Sequence, residues 1–98
     1  MKISVANGVW RETLATGEHL MDVRFTFQAG AVVPPHRHPH EQSSYIVSGS
    51  LRYTINDQDI VLHPGDSVVI PPNQEHWAVA LADTIDINSF SPPREDYV

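Results

Sequence analysis

The chain has 98 residues, about the size at which a single hydrophobic core just suffices for a stable fold. Its 41% hydrophobic and 18% charged residues exclude an intrinsically disordered tail and a coiled coil. Twelve acidic and six basic residues give a net charge of −6, which argues against a nucleic-acid partner because phosphate binding requires a clustered basic surface.

The absence of cysteine excludes disulfides, thiolate nucleophiles and sulfur metal ligands. No apolar stretch approaches the roughly 18 residues of a membrane span, and residues 1–4 contain no apolar signal core. We therefore expect no membrane partner and a cytoplasmic protein. The acidic net charge still permits a small anionic ligand, because one buried arginine or metal ion can dominate the local field.

The first third of the chain predicts short strands separated by turn residues. Trp10–Leu14 is expected to form at most one helical turn. Met21–Gln28 alternates apolar and polar residues, which is typical of a half-buried strand. The next strand, Ala31–Val33, is expected to end at the Pro34–Pro35 pair. One face of the Met21–Gln28 strand carries Met21, Val23, Phe25 and Phe27.

The rest of the chain continues this pattern. Strands are predicted at Ser44–Val47, Leu51–Ile55, Ile60–Leu62, Val68–Ile70, His76–Leu81 and Thr84–Phe90. Asn56 and Asp57 supply the turn of a hairpin, Val68–Ile70 is expected to be a short buried strand, and Ser91–Val98 to pack across the surface. About eight to ten short strands with Pro and Gly between them indicate an all-β sandwich or barrel.

Four polar residues have the types and spacing of a metal site. His36 and His38 are two residues apart, so on an extended segment both imidazoles face the same way. Gln42 keeps that parity, and His76 comes from a distant strand. Three imidazole nitrogens and one amide oxygen suit one divalent transition metal such as nickel, iron, cobalt, manganese or zinc, and the residues do not distinguish among these. The alternative is that these histidines decorate a loop.

The other histidines have weaker claims on a metal. His40 shares the parity of the candidate ligands but follows Pro39 in a turn, and we expect it to line the rim with Glu41. His19 and His63 lie at strand ends and are expected to have no functional role.

The order of these residues resembles the two motifs of the cupin superfamily. Residues 30–49 follow the pattern GX5HXHX3QX6G, and residues 65–76 follow GX5PXNX2H within a second motif that spans 65–80. The resemblance covers about residues 20–90. It implies an all-β jelly-roll barrel, a double-stranded β-helix, in which residues 1–98 form a single cupin domain. It also implies one metal in the lumen, bound by His36, His38, Gln42 and His76.

The chain departs from the superfamily pattern at three positions. Gln42 stands where most cupins have glutamate, Asn73 where the second motif has glycine, and Ala80 where it often ends in asparagine. Asparagine tolerates a positive φ better than most residues. With four neutral ligands the ion keeps its full charge, so it should attract an anion more strongly while binding more weakly itself.

A finer resemblance is to the small cupins of the pectin degradation protein KdgF family. It is carried by HRHPHEQSSYIVSG at 36–49, PGDSVVIPPNQEH at 64–76 and FSPPREDYV at 90–98. That family also uses glutamine as a ligand, and it converts 4,5-unsaturated uronates to linear keto-acids. An aspartate, a phenylalanine and an arginine of its last strand and tail face the metal. Here those positions are Asn88, Phe90 and Arg94.

The mismatch falls on the position that would move protons. Asn88 cannot exchange protons at neutral pH, whereas Arg94 can bind a carboxylate in a bidentate fork and Phe90 can pack on a sugar ring. Asp86 has the same strand parity and is expected to face the same cavity. Either Asp86 or a metal-bound water takes over the proton transfer, or the protein has another activity.

Three functions therefore remain open: a metal-dependent enzyme acting on a small anionic uronate-like molecule, a non-catalytic small-molecule binder or sensor, or another metal-cupin lyase, isomerase or dioxygenase. We also expect a homodimer, since edge strands in so small a barrel need covering. Ile3–Val5 is the candidate for a strand that crosses between subunits.

Overall fold

The structure is a computed structural model that describes all residues, 1–98. It consists of ten strands and one short 3₁₀ helix, Glu95–Tyr97, which confirms the all-β prediction. No helix in it has the length and apolar character that crossing a bilayer requires. The strands are β1 (Ile3–Ala6), β2 (Val9–Thr16), β3 (Met21–Phe27), β4 (Val32–His36), β5 (Glu41–Ser48), β6 (Leu51–Ile55), β7 (Gln58–Leu62), β8 (Ser67–Ile70), β9 (His76–Ala80) and β10 (Thr84–Ser91).

Two antiparallel sheets form the expected jelly-roll barrel. The larger has the order β1-β2-β3-β10-β5-β8 and the smaller the order β4-β9-β6-β7. Strand β10 pairs along its length with both β3 and β5, so it occupies the middle of the larger sheet. Its inward-facing side chains are therefore held from both sides, a rigid position for a functional group.

Alternation along each strand builds the core between the sheets. In β3 the four apolar residues predicted to share one face are all buried, and the polar residues between them are half-buried. Fully burying a large apolar side chain contributes about 1.5–3 kcal/mol. The buried apolar residues are Val9, Met21, Val23, Phe25, Phe27, Ile46, Leu51, Tyr53, Leu62, Ile70, Ala78, Ala80 and Phe90.

The helical turn expected at Trp10–Leu14 is wrong, because these residues lie within strand β2. The segment pairs with β1 on one side and β3 on the other. These ladders pair most of the segment's backbone groups with neighbouring strands, which one isolated helical turn could not do.

Two further strand predictions need correction. Strand β4 does not stop before Pro34–Pro35 but runs through both prolines to His36. It is an edge strand of the smaller sheet, where residues without an N–H group are tolerated. Val68–Ile70 lies in β8, the edge of the larger sheet, and only Ile70 is buried.

Residues with positive φ shape the turns around the site. Asn56 and Asp57 have φ of 49° and 65°, as the predicted hairpin turn requires. Asn73, which replaces the motif glycine, has φ of 64°. Gly49 has φ of 83°, and a Cβ there would lie 2.2 Å from the carbonyl oxygen of Asp83, so only glycine fits.

Candidate functional site

Three histidines meet at one end of the barrel interior. His36 ends β4 and pairs in register with His76, the first residue of β9. His38 follows in the loop before β5, and its carbonyl accepts a 2.8 Å hydrogen bond from the backbone N–H of Asn73. One ring nitrogen from each histidine lies within 4.8 Å of the others. These three side chains could hold a metal ion.

Backbone carbonyls orient all three imidazoles. Each ring has its Nδ1 beside a carbonyl oxygen two residues away in the chain. A carbonyl only accepts, so an Nδ1 that bonds to it carries the hydrogen and leaves Nε2 with a lone pair. The acceptors are Pro34 for His36 at 2.9 Å, His40 for His38 at 3.0 Å and Gln74 for His76 at 2.9 Å.

The buried histidines are held in the neutral form that metal binding requires. Burial lowers the pKa of His76 to about 4, even though its hydrogen bond to the Gln74 carbonyl acts in the opposite direction. Burial, followed by the nearby charge of Arg94, also lowers the pKa of His38. The Nε2 atom of His76 is buried without any hydrogen-bond partner. An unpartnered lone pair of this kind fits a metal ligand.

Gln42 reaches His38 from the opposite sheet. It lies on β5 and is 6% exposed. Its Oε1 is 2.9 Å from Nε2 of His38, and its Nε2 donates to Oδ1 of Asn88. Both ring nitrogens of His38 therefore face oxygens, yet a neutral imidazole has only one N–H. A metal ion bound by both Nε2 of His38 and Oε1 of Gln42 would remove this conflict. A second proton on the His38 ring would also remove it, but the lowered pKa of His38 disfavours that form.

A cavity of about 230 Å³ opens beside the histidines. Both sheets line it, as does the segment that follows β10. All four residues that the sequence analysis placed near the metal from the last strand and tail contribute to its wall. The lining includes His36, Gln42, His76, Asp86, Asn88, Phe90 and Arg94, together with Phe25, Tyr53 and Tyr97.

Asp86 is the carboxylate of this cavity and is fully buried. Its Oδ1 accepts a 2.6 Å hydrogen bond from the Ser44 hydroxyl, and its Oδ2 accepts a 3.0 Å bond from the Tyr53 hydroxyl. Burial raises the pKa of Asp86, although these hydrogen bonds act to lower it. Burial, and next the charge of Asp86, raise the pKa of Tyr53 well above its ordinary value. Asp86 is thus a carboxyl group that can hold or release a proton.

Arg94 supplies positive charge at the mouth of the cavity. Its side chain is 13% exposed. Its Nε and Nη2 atoms donate to the Asp96 carboxylate at 3.2 and 2.9 Å, and its guanidinium carbon lies 4.0 Å from the Tyr97 ring centre. Burial of Asp96 opposes ionisation, but the hydrogen bonds and charge of Arg94 lower its pKa overall. Nη1 of Arg94 makes no hydrogen bond within the chain, so one edge of the guanidinium is free.

Hydrogen bonds from β2 hold the segment after β10 against the barrel. The Thr13 hydroxyl donates to the Tyr97 carbonyl at 2.6 Å, and Nη2 of Arg11 donates to the Asp96 carbonyl at 3.2 Å. The Tyr97 ring packs edge-on against Phe25 and Phe90 at 6.1 and 5.8 Å between centres. The segment therefore contacts the barrel and forms part of the cavity wall.

Sequence analysis missed four of the polar residues around this cavity. Ser44 and Tyr53 could have been found from their inward parity on β5 and β6. No local signal pointed to Asp96 or Tyr97. His40 lies outside the trio of histidines whose donor atoms converge, and His19 and His63 are exposed.

Comparison with known proteins matches the chain to cupins, with similarity over nearly its whole length. The family model described as Cupin domain matches residues 23–86. The pectin degradation protein KdgF of Dickeya dadantii (strain 3937) is 31% identical over 96 residues, which cover 96% of this chain and 87% of that protein.

Solved structures agree closely with the fold. The structure of KdgF from Halomonas sp. superposes with a TM-score of 0.94 at 37% identity and covers 100% of this chain and 91% of that one. An RmlC-like cupin from Shewanella frigidimarina NCIMB 400 gives the same TM-score and identity, covering 100% of this chain and 88% of that one.

Proposed function

Because this chain belongs to the cupin superfamily, with the pectin degradation protein KdgF as a relative along nearly its whole length, we propose that it is a metal-dependent enzyme acting on a small anionic sugar acid. The proposed reaction opens the ring of a 4,5-unsaturated uronate to give the linear keto-acid. One observation carries the proposal: the three histidines, the buried carboxyl of Asp86 and the guanidinium of Arg94 all line one cavity or adjoin it.

His36, His38, Gln42 and His76 would hold a divalent transition metal. When bound, such an ion supplies Lewis acidity, which polarises an oxygen of the substrate. All four donors are neutral, so the protein does not cancel the charge of the ion. Nickel, iron, cobalt, manganese and zinc all accept this donor set.

Arg94 is proposed to bind the uronate carboxylate. Asp96 occupies the Nε and Nη2 side of its guanidinium, which leaves Nη1 for a ligand in the cavity. The Phe90 and Tyr97 rings lie 5.3 and 4.0 Å from the guanidinium carbon and hold the group in place. A carboxylate bound there is positioned beside the histidine cluster, in which the charge of Arg94 helps to lower the pKa values of His38 and His76.

Asp86 is proposed to move the proton that Asn88 cannot move. A proton from the Asp86 carboxyl adds to C4 of the enol-ether double bond, and water adds its oxygen to C5. The proton that this water releases returns to Asp86. The resulting hemiketal then breaks its C5–O5 ring bond, its hydroxyl proton passes to O5, and C5 becomes the ketone. Burial favours the protonated carboxyl that begins this sequence.

The test is a spectrophotometric assay on protein loaded separately with each candidate metal. Unsaturated galacturonate and guluronate-derived monomers are added, and loss of the conjugated ultraviolet band above the uncatalysed rate is expected. Arg94→Ala should raise KM because it removes the carboxylate partner. The control Arg52→Ala, at a half-buried arginine of β6 outside the cavity lining, should behave like the parent. Bound metal without turnover in any form would contradict the proposed reaction.

Asn88 favours one competing function, the binding of a uronate without turnover, because an amide cannot transfer protons. Isothermal titration with saturated galacturonate separates the two. Binding with no activity on the unsaturated monomers would assign the protein to the binding class. Activity above background would show that an amide at position 88 is compatible with the reaction.

A further inference from the structure

We infer that Asn88 is a positioning residue, whose side-chain amide holds the carbonyl oxygen of Gln42 toward the three imidazoles. The inference rests on the metal site of the proposed function. It assigns a role to Asn88, which takes no part in the proposed reaction. Asn88 is 1% exposed on β10, and Gln42 lies on the neighbouring strand β5.

The orientation of Gln42 follows from its contact with Asn88. The Gln42 NH₂ group donates to Oδ1 of Asn88. A carboxamide carries its oxygen on the other side of the same planar group, so this bond turns Oε1 of Gln42 toward His38, whose Nε2 lies 2.9 Å away. Were the amide reversed, NH₂ would face the metal site, and an NH₂ group cannot be a metal ligand.

On its other side, the Asn88 amide lies near Asp86, two residues away on the same face of β10. The amide lies close enough to the Asp86 carboxylate to act on it as a hydrogen-bond donor that lowers the pKa of Asp86. Rotating the Asn88 amide would turn its NH₂ toward the NH₂ of Gln42 and its oxygen toward the carboxylate. Asp86 is itself held by the Ser44 and Tyr53 hydroxyls. The buried polar groups thus form one connected network, in which the Tyr53 hydroxyl lies within hydrogen-bond distance of both Ser44 Oγ and Asp86 Oδ2.

This network explains the value of an amide at position 88. An aspartate would also accept from Gln42, but it would place a second carboxylate beside the buried Asp86, where two like charges in low dielectric repel strongly. Asparagine accepts from Gln42 and donates toward Asp86, which a carboxylate cannot do. Asp86 remains the one acidic side chain of the cavity wall.

The experiment measures the Kd of the whole chain for nickel by competition with a chelator. Asn88→Leu removes the hydrogen bond from Gln42 at similar volume, and the expected result is a 10–100-fold weaker Kd, the usual effect of removing a group that holds a metal ligand. Asn88→Asp keeps the acceptor for Gln42 and should bind nickel at least as tightly as the parent. Thr84→Val, another buried polar-to-apolar change on β10, is the matched control and should leave the Kd within about threefold.

A double-mutant cycle separates positioning from general destabilisation. If Asn88 acts through Gln42, then Asn88→Leu should weaken nickel binding much less in a Gln42→Leu background than in the parent. Asn88→Ala serves as the second variant if Asn88→Leu fails to fold, with thermal melting of the metal-free protein as the check. Equal losses in both backgrounds, or an Asn88→Leu affinity within threefold of the parent, would overturn the inference.

The nickel-binding and turnover measurements distinguish a failure of the Asn88 inference from a failure of the proposed function. A parent that binds nickel but is indifferent to Asn88→Leu overturns the inference and leaves the metal site standing. A parent that binds nickel, responds to Asn88→Leu and turns over no uronate supports the inference and contradicts only the reaction. A parent that binds no nickel overturns both.

Discussion

At the scale of single residues, Asp86 and Asn88 of β10 line the same cavity but have different proposed roles. Asp86 and Asn88 share the inward parity of β10, and both are fully buried. One is a carboxyl group with a raised pKa, and the other is an amide that accepts a hydrogen bond from Gln42. The proposed acid–base group, Asp86, and the proposed positioning group, Asn88, are therefore only two residues apart on the same face of β10.

Asp86→Asn should abolish proton transfer while leaving the metal in place. We expect turnover of the unsaturated uronate to fall by about 10²-fold or more, which is the usual contribution of a positioned acid or base. The nickel Kd should stay within about threefold, because Asp86 contacts none of the proposed ligands directly. Parallel steady-state kinetics and chelator competition check both expectations.

The matched control is Asp22→Asn, a change of the same type on the outer face of β3, where Asp22 accepts a 2.6 Å bond from Ser89. It should retain parental activity. An Asp86→Asn variant that kept parental turnover would transfer the proton step to another group.

The residues that the sequence identified are those whose spacing has a local meaning. His36 and His38 could be paired by strand parity, and the motif order brought Gln42 and His76 to the same site. Asp96 could not be found in this way, because its role depends on Arg94 folding back along a segment without strand periodicity. The Ser44–Asp86 contact joins residues 42 positions apart. Such contacts follow from sheet order, which a single sequence leaves open.

At the scale of elements, strand β2 does two things that its sequence did not predict. It lies between β1 and β3 in the larger sheet, and it anchors the segment 91–98 through Arg11 and Thr13. The edge positions of β4 and β8 explain why β4 continues through two prolines and why most of β8 is not buried. A strand's position in the sheet depends on its neighbours, which its own residues do not reveal.

Thr13→Val should loosen this anchor without disturbing the metal. The change is nearly isosteric and removes the hydrogen bond from the Thr13 hydroxyl to the Tyr97 carbonyl. A typical hydrogen bond contributes about 0.5–1.5 kcal/mol, so we expect KM for the uronate to rise roughly 2–10-fold. The nickel Kd should not change, and enzyme kinetics with chelator competition measures both.

Thr26→Val on β3 provides the comparison, since Thr26 makes no side-chain hydrogen bond and belongs to no part of the cavity wall. A Thr13→Val variant with unaltered KM would mean that Arg94 is held well enough by its own aromatic contacts.

At the scale of the whole molecule, the proposed ligands connect the two sheets. His36 and His76 belong to the smaller sheet and Gln42 to the larger one. A bound ion would therefore join the halves of a barrel that has a small core and no disulfide. The homodimer remains a prediction: β1, which contains Ile3–Val5, pairs with β2 of its own chain and has its other edge free.

Metal should consequently raise the melting temperature substantially. A ligand at 100 times its Kd stabilises the folded state by about 2.7 kcal/mol, which for a domain of this size corresponds to a rise of roughly 10–20 °C. Calorimetry with nickel and with a chelator measures the difference. His76→Ala should remove the effect, whereas His63→Ala, which alters an exposed histidine, should preserve it. A metal-dependent rise that survived in His76→Ala would contradict the assignment of the site.

The backbone carbonyls that face the three Nδ1 atoms have a consequence for how such a protein can diversify. Main-chain oxygens are supplied at these positions whatever side chains surround them, so the tautomer of each imidazole does not depend on which residues line the rest of the cavity. Mutations of wall residues that contact none of the proposed ligands can alter which sugar acid fits while the three imidazoles keep their geometry. A barrel of this kind is suited to acquiring new substrates by small steps, and its cavity wall is the part to randomise in a directed search for them.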